Sequence, residues 1–297
     1  MARTRDIVVG LVIATVALIF LIMVFVSIWG VTRQRDISIF PQGDRIAIIE
    51  VNGVIDSSED IVRQLKKYGE DKSVPCIILR INSPGGGVAP SQEIYDEIKK
   101  VKDGGTYVIA SLSSIAASGG YYIASAADSI VANPGSLTGS IGVIFSFLTF
   151  EGLMDKVGVQ YEVVKVGELK DVGNFSRDMT QKEREMLQAA LDDVYNQFVM
   201  AVSEGRNLDI AQVEDLADGS VYTGNQALNF GLVDKLGSFE DAIAMAGKMS
   251  GLGENPRTVR EYQRKPNILD LVSEKVSWLL EMKAANETWP KLEYIYK

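Results

Sequence analysis

The sequence predicts an α/β protein with a largely parallel, buried sheet, preceded by one N-terminal transmembrane helix. Three observations support this prediction. From residue 45 onward, apolar runs of strand length alternate with segments of helix length, which is typical of parallel strands covered on both faces. Turns rich in Gly and Pro separate the segments. The uncharged stretch over residues 7–31 would span about 37 Å as a helix, enough to cross a hydrocarbon core of about 30 Å.

The N-terminal apolar stretch is interpreted as an uncleaved signal anchor. No small-residue cleavage site follows it, and Arg33 and Arg35 come soon after its end. Arg3 and Arg5 lie on the other flank, so the positive-inside rule is nearly balanced. The short stub over residues 1–6 favours an N-terminus on the inside. We therefore expect a single-pass protein of the plasma membrane with its main domain on the extracytoplasmic side.

The chain beyond the anchor divides into a stalk, a main domain and a tail. The stalk covers residues 32–44, the main domain 45–250 and the C-terminal tail 251–297. In the main domain we predict strands at 46–51, 76–81, 107–112, 129–132 and 160–166, and helices at 57–67, 89–102, from 118, and at 180–205, 209–217, 224–230 and 239–249. The tail holds an amphipathic stretch at 268–280 and an apolar-aromatic end at 289–296. It suits docking on a neighbouring subunit or near a substrate groove, with an edge element of the same globule as the alternative.

Composition excludes several classes of function. The net charge of −9 and the isoelectric point near 4.8 argue against a nucleic-acid partner, which needs a basic face. The chain has no histidine and one cysteine, Cys76, so an internal disulfide and a Cys/His metal site are both excluded. Cys76 lies in an apolar run and is predicted to be a small core residue. No spaced acidic loop suggests a carboxylate metal site, and we expect no cofactor.

Ser118 lies in the stretch that most suggests chemistry, between Ala117 and a Gly-Gly pair. It follows a predicted strand and begins a predicted helix, where a turn exposes a nucleophilic hydroxyl and helix amides stabilise negative charge. Because the chain lacks histidine, a Ser-His-Asp triad is excluded. Lysine is the known substitute for the base when burial keeps its amine neutral. The alternative is that these small residues only let a helix pack closely.

The segment Asn82–Gly87, predicted to be a Gly-rich loop at a strand end, is the second candidate element. Its glycines let the backbone approach a ligand and point N–H groups at it. An oxyanion hole needs such amides, each worth about 3 kcal/mol. A flexible turn is the alternative. A phosphate cradle is excluded because no Gly-Lys-Ser/Thr follows.

The base would have to be a lysine, whose free amine titrates at about 10.4 and serves at neutral pH only when desolvated. Lys165 and Lys170 qualify because they lie in apolar or turn segments. Lys165 is in the middle of a predicted strand and could face solvent. Lys170 follows a Gly-containing bend and could turn toward the sheet ends, so the residues alone slightly favour it. For either, an ordinary surface lysine is the alternative.

Several motifs occur together in the order found in one peptidase family. They are Asn82–Gly87, Ser118–Tyr121, Thr138–Val143, Gly167–Lys170, Ala201–Arg206, Gly219–Gly224 and Gly231–Asp234. On these motifs residues 45–250 resemble the signal peptide peptidase A family, membrane serine peptidases of the protease IV type. The tail end over residues 290–296 is also similar. Ordered motifs in this number are much more specific than any single Gly-rich loop.

The resemblance implies a Clp-protease/crotonase-like α/β fold, a spiral of ββα units, and a Ser–Lys dyad. By motif position, Ser118 would be the nucleophile and Lys170 the general base, later the general acid. Gly86 would lie at the oxyanion hole, and the Gly119 amide would be its second donor. These roles are expectations from motif position.

Two further positions are interpreted through the resemblance. Ser140 matches the family serine that hydrogen-bonds the dyad lysine and orients it. Asp171 departs from the family, which often has a small residue after the lysine. A carboxylate pointing inward would oppose a neutral lysine, so we expect Asp171 to point outward.

Substrate contacts are expected from two strand-like segments, near Gly85–Val88 and Thr138–Val143, which would pair with an extended peptide. The residues expected to take part are Gly85, Gly87, Val88, Thr138, Gly139, Ile141 and Gly142. Pockets lined by small and apolar residues predict a preference for small or apolar residues near the cleaved bond.

The leading hypothesis is a membrane-anchored serine endopeptidase that cleaves apolar peptides, such as released signal peptides. The resemblance also implies a ring-shaped homo-oligomer, in which neighbouring subunits can share one active site. One alternative is a non-catalytic membrane scaffold or peptide-binding protein on the same fold. Another is a crotonase-type acyl-CoA enzyme, which needs no anchor and for which no catalytic carboxylate follows the Gly-rich loops.

Overall fold

The structure is a computed structural model that describes Leu18, residues 43–261 and the backbone of residues 293–295. The chain divides into two units, Met1–Gly43 and Asp44–Lys297. Apart from Leu18, the predicted anchor over residues 7–31 lies outside the described residues, as does the amphipathic stretch at 268–280. Within the described part, no helix combines the length and apolar character that a bilayer crossing requires.

Strands and helices alternate through the second unit. The strands are β1 (Ile46–Asn52), β2 (Cys76–Ser83), β3 (Gly85–Gly87), β4 (Tyr107–Ala117), β5 (Ser129–Ala132), β6 (Leu137–Gly139), β7 (Val221–Thr223), β8 (Lys235–Leu236), β9 (Thr258–Arg260) and β10 (Glu293–Ile295). The helices are α1 (Glu59–Gly69), α2 (Val88–Asp103), α3 (Gly119–Ser125), α4 (Glu151–Val157), α5 (Gln181–Arg206), α6 (Ile210–Leu216), α7 (Gly224–Asn229) and α8 (Phe239–Met249).

One mixed, eight-stranded sheet organises the unit. Its strands lie in the order β7-β6-β4-β2-β1-β9, with β5 beside β4 and β8 beside β5. All these neighbours are parallel except β6 and β7. β9 belongs to the sheet although it lies in the segment that the sequence analysis assigns to the tail. A separate two-stranded sheet pairs β10 antiparallel with β3.

Helices bury both faces of the sheet, as continuous apolar strands require. On one face the core includes Leu65 of α1, Ile98 of α2, Ile123 of α3 and Phe198 of α5. On the other face α8 packs against the opposite side chains of β1, β2, β4 and β5. Cys76 lies fully buried in this second core, as predicted, and burial raises the pKa of its thiol to about 12.

Two segments differ from their predicted structure. Residues 85–87 were predicted to be a loop but form β3, because Ile55 supplies a backbone partner: its N–H donates to Gly85 O and its carbonyl accepts from Gly87 N–H, both at 2.9 Å. Residues 160–166 were predicted to be a strand but are irregular. Val164 and Val166 are 96% and 97% exposed, so β-forming side chains are present without a neighbouring strand among the described residues.

Candidate active site

Ser118 forms the turn between β4 and α3. Its φ of 52° and ψ of −118° lie in a region that a residue with a side chain enters only under strain. Its N–H donates to the Gly139 carbonyl at 2.8 Å, and its own carbonyl accepts from Tyr122 N–H at 2.8 Å. The residue is 1% exposed, and its hydroxyl makes no hydrogen bond to another described residue. Strained strand-to-helix turns of this kind present the nucleophilic serines of α/β-hydrolases.

The small residues after Ser118 bring α3 close to the sheet. A Cβ at Gly120 would lie 2.9 Å from the Ser83 carbonyl oxygen, so this close approach requires glycine. Tyr121 is fully buried and donates to the Leu232 carbonyl at 2.8 Å, and burial raises its pKa. Gly119 is the first residue of α3, so its N–H lacks an intrahelical partner. The stretch therefore serves helix packing and also leaves an amide beside Ser118.

One edge of β3 pairs with Ile55, and the opposite edge faces the same region. Because Ile55 binds both Gly85 and Gly87, strand alternation turns the Gly86 N–H toward the opposite edge. A Cβ at Gly86 would lie 2.4 Å from the Ile55 carbonyl oxygen, which excludes a side chain. Val88 follows as the first residue of α2 and is 8% exposed.

In this structure the chain's own tail pairs with the edge of β3 that lies opposite Ile55. β10 pairs antiparallel with it, with Tyr294 opposite Gly86 and Ile295 opposite Gly85. β10 also lies beside α2 and α3, the second of which begins directly after Ser118. The predicted oxyanion residue Gly86 therefore borders the position held by residues 293–295.

The β6 strand has partners on both sides, β4 and β7. The Thr138 hydroxyl donates to the Ala116 carbonyl at 2.7 Å, and the Gly139 carbonyl holds Ser118. These two residues position the serine turn, and β6 is paired with a neighbouring strand along both edges. Beyond them, Ser140 has a φ of 51° and its N–H donates to the Ser220 carbonyl at 2.7 Å.

Two predicted substrate contacts follow Ser140. Ile141 is fully buried and its carbonyl accepts from Gly219 N–H, while Gly142 is partly exposed. The structure thus brings Ser118 and Ser140 to neighbouring positions through Gly139.

The two candidate lysines differ in what their amines contact. Lys165 Nζ donates to the Glu168 carbonyl at 2.7 Å and forms an ion pair with Asp171. Lys170 is exposed, and its amine has no hydrogen bond or ion pair with another described residue. Within one chain the structure therefore does not join Lys170 to the buried Ser118 hydroxyl or to Ser140.

Asp171 is held by cations on both sides. It accepts hydrogen bonds from Lys165, from Arg177 at 2.9 Å and from Asn174 at 3.4 Å. Arg177 also binds Glu183, with 2.9 Å between Nη1 and Oε2. The Asp171 side chain is 13% exposed, so it turns to these partners rather than outward into solvent. Its pKa lies well below the usual range because of Lys165 and then Arg177.

Some residues that shape the site escape sequence reasoning. Ile55 acts through its backbone, so its side chain gives no signal, and the role of the Gly139 carbonyl as the acceptor for Ser118 N–H differs from the substrate contact expected of Gly139. Arg177 could be found only as one basic residue among several in the turn region before α5. Across residues 43–261, no group of three or more Cys, Asp or Glu side chains is arranged to hold a metal ion.

Two family models match this chain. The family model for peptidase family S49 matches residues 100–253, and that for Clp protease matches residues 33–136. The Clp match and the mixed sheet support the predicted Clp-protease-like α/β fold.

Three relatives share much of this chain. A relative from Synechocystis sp., named "Putative protease", is 46% identical over 70% of this chain and 75% of its own. The "Putative signal peptide peptidase SppA" of Enterococcus faecium is 39% identical over 79% of this chain and 70% of its own. "Protease 4" of Haemophilus influenzae is 39% identical over 69% of this chain but only 35% of its own.

Proposed function

This chain belongs to peptidase family S49 and is a serine protease, and from that premise we propose that it is an endopeptidase with a Ser118–Lys170 dyad. The Ser118 hydroxyl attacks the peptide carbonyl while the Lys170 amine takes its proton. Lys170 then returns the proton to the leaving amine, and water releases the acyl group by the same route. The observation that carries this proposal is the strained backbone of Ser118, because a positive φ at a serine is costly and concentrates at functional sites.

The contacts of the two lysines favour Lys170 as the base. The Lys165 amine donates to a carbonyl and pairs with a carboxylate, so it is already engaged by its own chain. Lys170 makes no such contact among the described residues. It is the amine that can lose its proton once a protein surface covers it.

The oxyanion of the intermediate is bound by the amides of Gly86 and Gly119. The Gly86 N–H points away from Ile55, and the Gly119 N–H lies at the start of α3. Fixed donors of this kind stabilise a transition state by about 3 kcal/mol each. Ser140 lies beside the serine turn and is proposed to orient the incoming lysine.

We infer that Ser118 and Lys170 of one site come from two copies of the chain in a ring-shaped homo-oligomer. Within one chain Lys170 is exposed and Ser118 buried, with no bond between them. Just before Lys170, a segment of exposed apolar side chains comprises Val159, Tyr161, Val163, Val164 and Val166. Exposed apolar surface of this extent marks an interface, and burying it on a neighbour would deliver Lys170.

The proposed substrates are extended, apolar peptides such as released signal peptides. β10 demonstrates that the β3 edge accepts an antiparallel strand, so a substrate is proposed to bind there in the same direction. Gly85, Gly87 and Val88 border that edge. With the proposed anchor at residues 7–31, the protease acts at the extracytoplasmic side of the plasma membrane.

Turnover of an apolar peptide library by the full chain tests the proposal. Ser118→Ala and Lys170→Met are expected to abolish cleavage, and Lys165→Met, the matched change of the neighbouring lysine, is expected to retain it. A serine-directed phosphonate should label Ser118 in the oligomer. Unchanged turnover in either dyad variant removes the mechanism, and an unlabelled Ser118 favours the scaffold alternative.

A further inference from the structure

A chain of ion pairs surrounds the residue that follows Lys170. Lys165 binds Asp171, Asp171 binds Arg177, and Arg177 binds Glu183. Both acceptors are well covered, since the side chains of Asp171 and Glu183 are 13% and 1% exposed. These four residues are called the clamp below.

The clamp holds both ends of the turn over residues 167–174. Lys165 lies before the turn and also grips the Glu168 carbonyl within it. Arg177 lies after the turn and binds Glu183, the third residue of α5, whose carboxylate also accepts from Thr180 N–H at 2.8 Å. The turn that bears Lys170 is therefore attached to the first turn of α5.

The same helix reaches the nucleophile's helix. Phe198, further along α5, is fully buried and meets the Tyr122 ring edge-on, with 5.0 Å between centroids. Tyr122 belongs to α3, which starts directly after Ser118. One helix thus supports the lysine turn at its N-terminal end and the serine helix in its C-terminal half.

The charges of the clamp cancel. Two cations and two carboxylates give no net charge. The Asp171 carboxylate next to Lys170 is therefore compensated and does little to stabilise a protonated amine. Other polar groups around it are Asn174, which donates to Asp171, and the exposed pair of Lys182 with Glu168. A carboxylate beside Lys170 would by itself oppose a neutral amine, but Lys165 and Arg177 compensate the charge of Asp171.

We propose that Asp171 is a positioning residue for Lys170, which fixes the lysine's turn through Lys165 and Arg177 while these two cations cancel its charge. This inference rests on the proposed function, in which Lys170 is the base. The competing interpretation is a solvated ion-pair cluster that affects stability and leaves the chemistry unchanged.

The test is the pH dependence of kcat/KM for the full chain carrying Asp171→Asn, Lys165→Met or both. Asp171→Asn removes the carboxylate and leaves the two cations unopposed. The acid limb of the profile, where activity rises as Lys170 loses its proton, should therefore move to lower pH by about half a pH unit. Lys165→Met leaves the carboxylate undercompensated, so the limb should shift up by a similar amount. The double variant removes one charge of each sign and should return close to the original limb.

A loosened structure alone would lower the maximal kcat/KM and leave the acid limb at the same pH. It cannot produce opposite shifts in the two single variants and the original profile in the double variant. Lys99→Met is the matched control. It breaks the exposed ion pair between α2 and Glu204, near the C-terminal end of α5, and should leave the acid limb at the same pH. The shifts should shrink in high salt because the clamp is partly solvated.

Three outcomes separate the hypotheses. Shifts of the expected sign support the positioning role of Asp171. An acid limb that stays at the same pH in folded variants overturns it. If Lys170→Met remains active, the proposed dyad fails instead, whatever the limbs do. Should Asp171→Asn prove unfolded by thermal melting, Lys165→Met and Arg177→Gln still decide the question, since both must raise the limb.

Discussion

The backbone N–H of Ser118 donates a 2.8 Å hydrogen bond to the carbonyl oxygen of Gly139. This bond ties the turn that bears Ser118, the proposed nucleophile, to the end of β6. Gly139 itself has a φ of 77° and faces Tyr222, whose Cδ2 would lie 2.6 Å from an added Cβ. The position of the serine therefore depends on a residue of another strand that has no room for a side chain.

Gly139→Ala is expected to destabilise the fold by about 1–3 kcal/mol, because the side chain meets both a positive φ and the Tyr222 ring. It should lower kcat more than it changes KM, since the bond positions the nucleophile. Gly135→Ala, where an added Cβ meets nothing within 4 Å, is the control. Denaturant unfolding and peptide turnover measure both effects. Equal stability and activity in the two variants would contradict this role of Gly139.

A shared dyad predicts rescue between inactive subunits. Ser118→Ala and Lys170→Met chains are mixed equally during assembly. About a quarter of the sites then receive Ser118 from a Lys170→Met chain and Lys170 from a neighbouring Ser118→Ala chain. Peptide turnover should therefore recover to about a quarter of the unmutated level. Mixing either variant with itself is the control. No recovery in demonstrably mixed rings would place both residues of a site in one chain.

Much of the fold follows from local sequence. The apolar runs of β1 and β2 and the Thr180–Glu183 capping box of α5 specify their elements through nearby residues, and the structure has them where predicted. The Ser118 turn was also predictable, because small residues lie between a strand and a helix.

The remaining features depend on contacts that are remote in sequence. β3 is three glycines, which have no intrinsic strand preference, and exists because Ile55 and β10 pair with it. Residues 160–166 have strand-forming side chains but no partner strand among the described residues. The clamp depends on Arg177, whose pairing with Asp171 appears only once the turn closes. No local pattern encodes these three features.

Removing the tail is expected to increase activity. β10 occupies the β3 edge on which a substrate is proposed to pair, so tail and substrate compete. Deleting residues 289–297 should lower KM several-fold while leaving kcat nearly unchanged. Adding the excised segment back as a peptide should restore the higher KM. A truncated chain with unchanged KM and intact assembly would show that substrates do not use this edge.

Glu183 makes the clamp acid-sensitive. Arg177 is the largest cause that lowers its pKa, and with the Thr180 contacts it brings the pKa to about 2 against the opposing effect of burial. A carboxyl whose pKa falls on folding stabilises the native state above its usual titration range, and that stabilisation is lost as pH falls toward about 2. Thermal unfolding of the full chain should therefore occur at lower temperature as pH drops from 5 to 2.5 (roughly the window between the two pKa values).

Glu183→Gln isolates this charge, because glutamine still completes the capping box with Thr180. At pH 7 the variant should be less stable by on the order of 2 kcal/mol, discounted for partial solvation of Arg177. Near pH 2.5 the difference should nearly vanish, because the unmutated carboxyl has lost most of its charge advantage. Glu185→Gln, on the exposed face of the same helix, should show no such convergence. A deficit for Glu183→Gln that is the same at both pH values would mean that packing, and not the ion pair with Arg177, sets the contribution of Glu183.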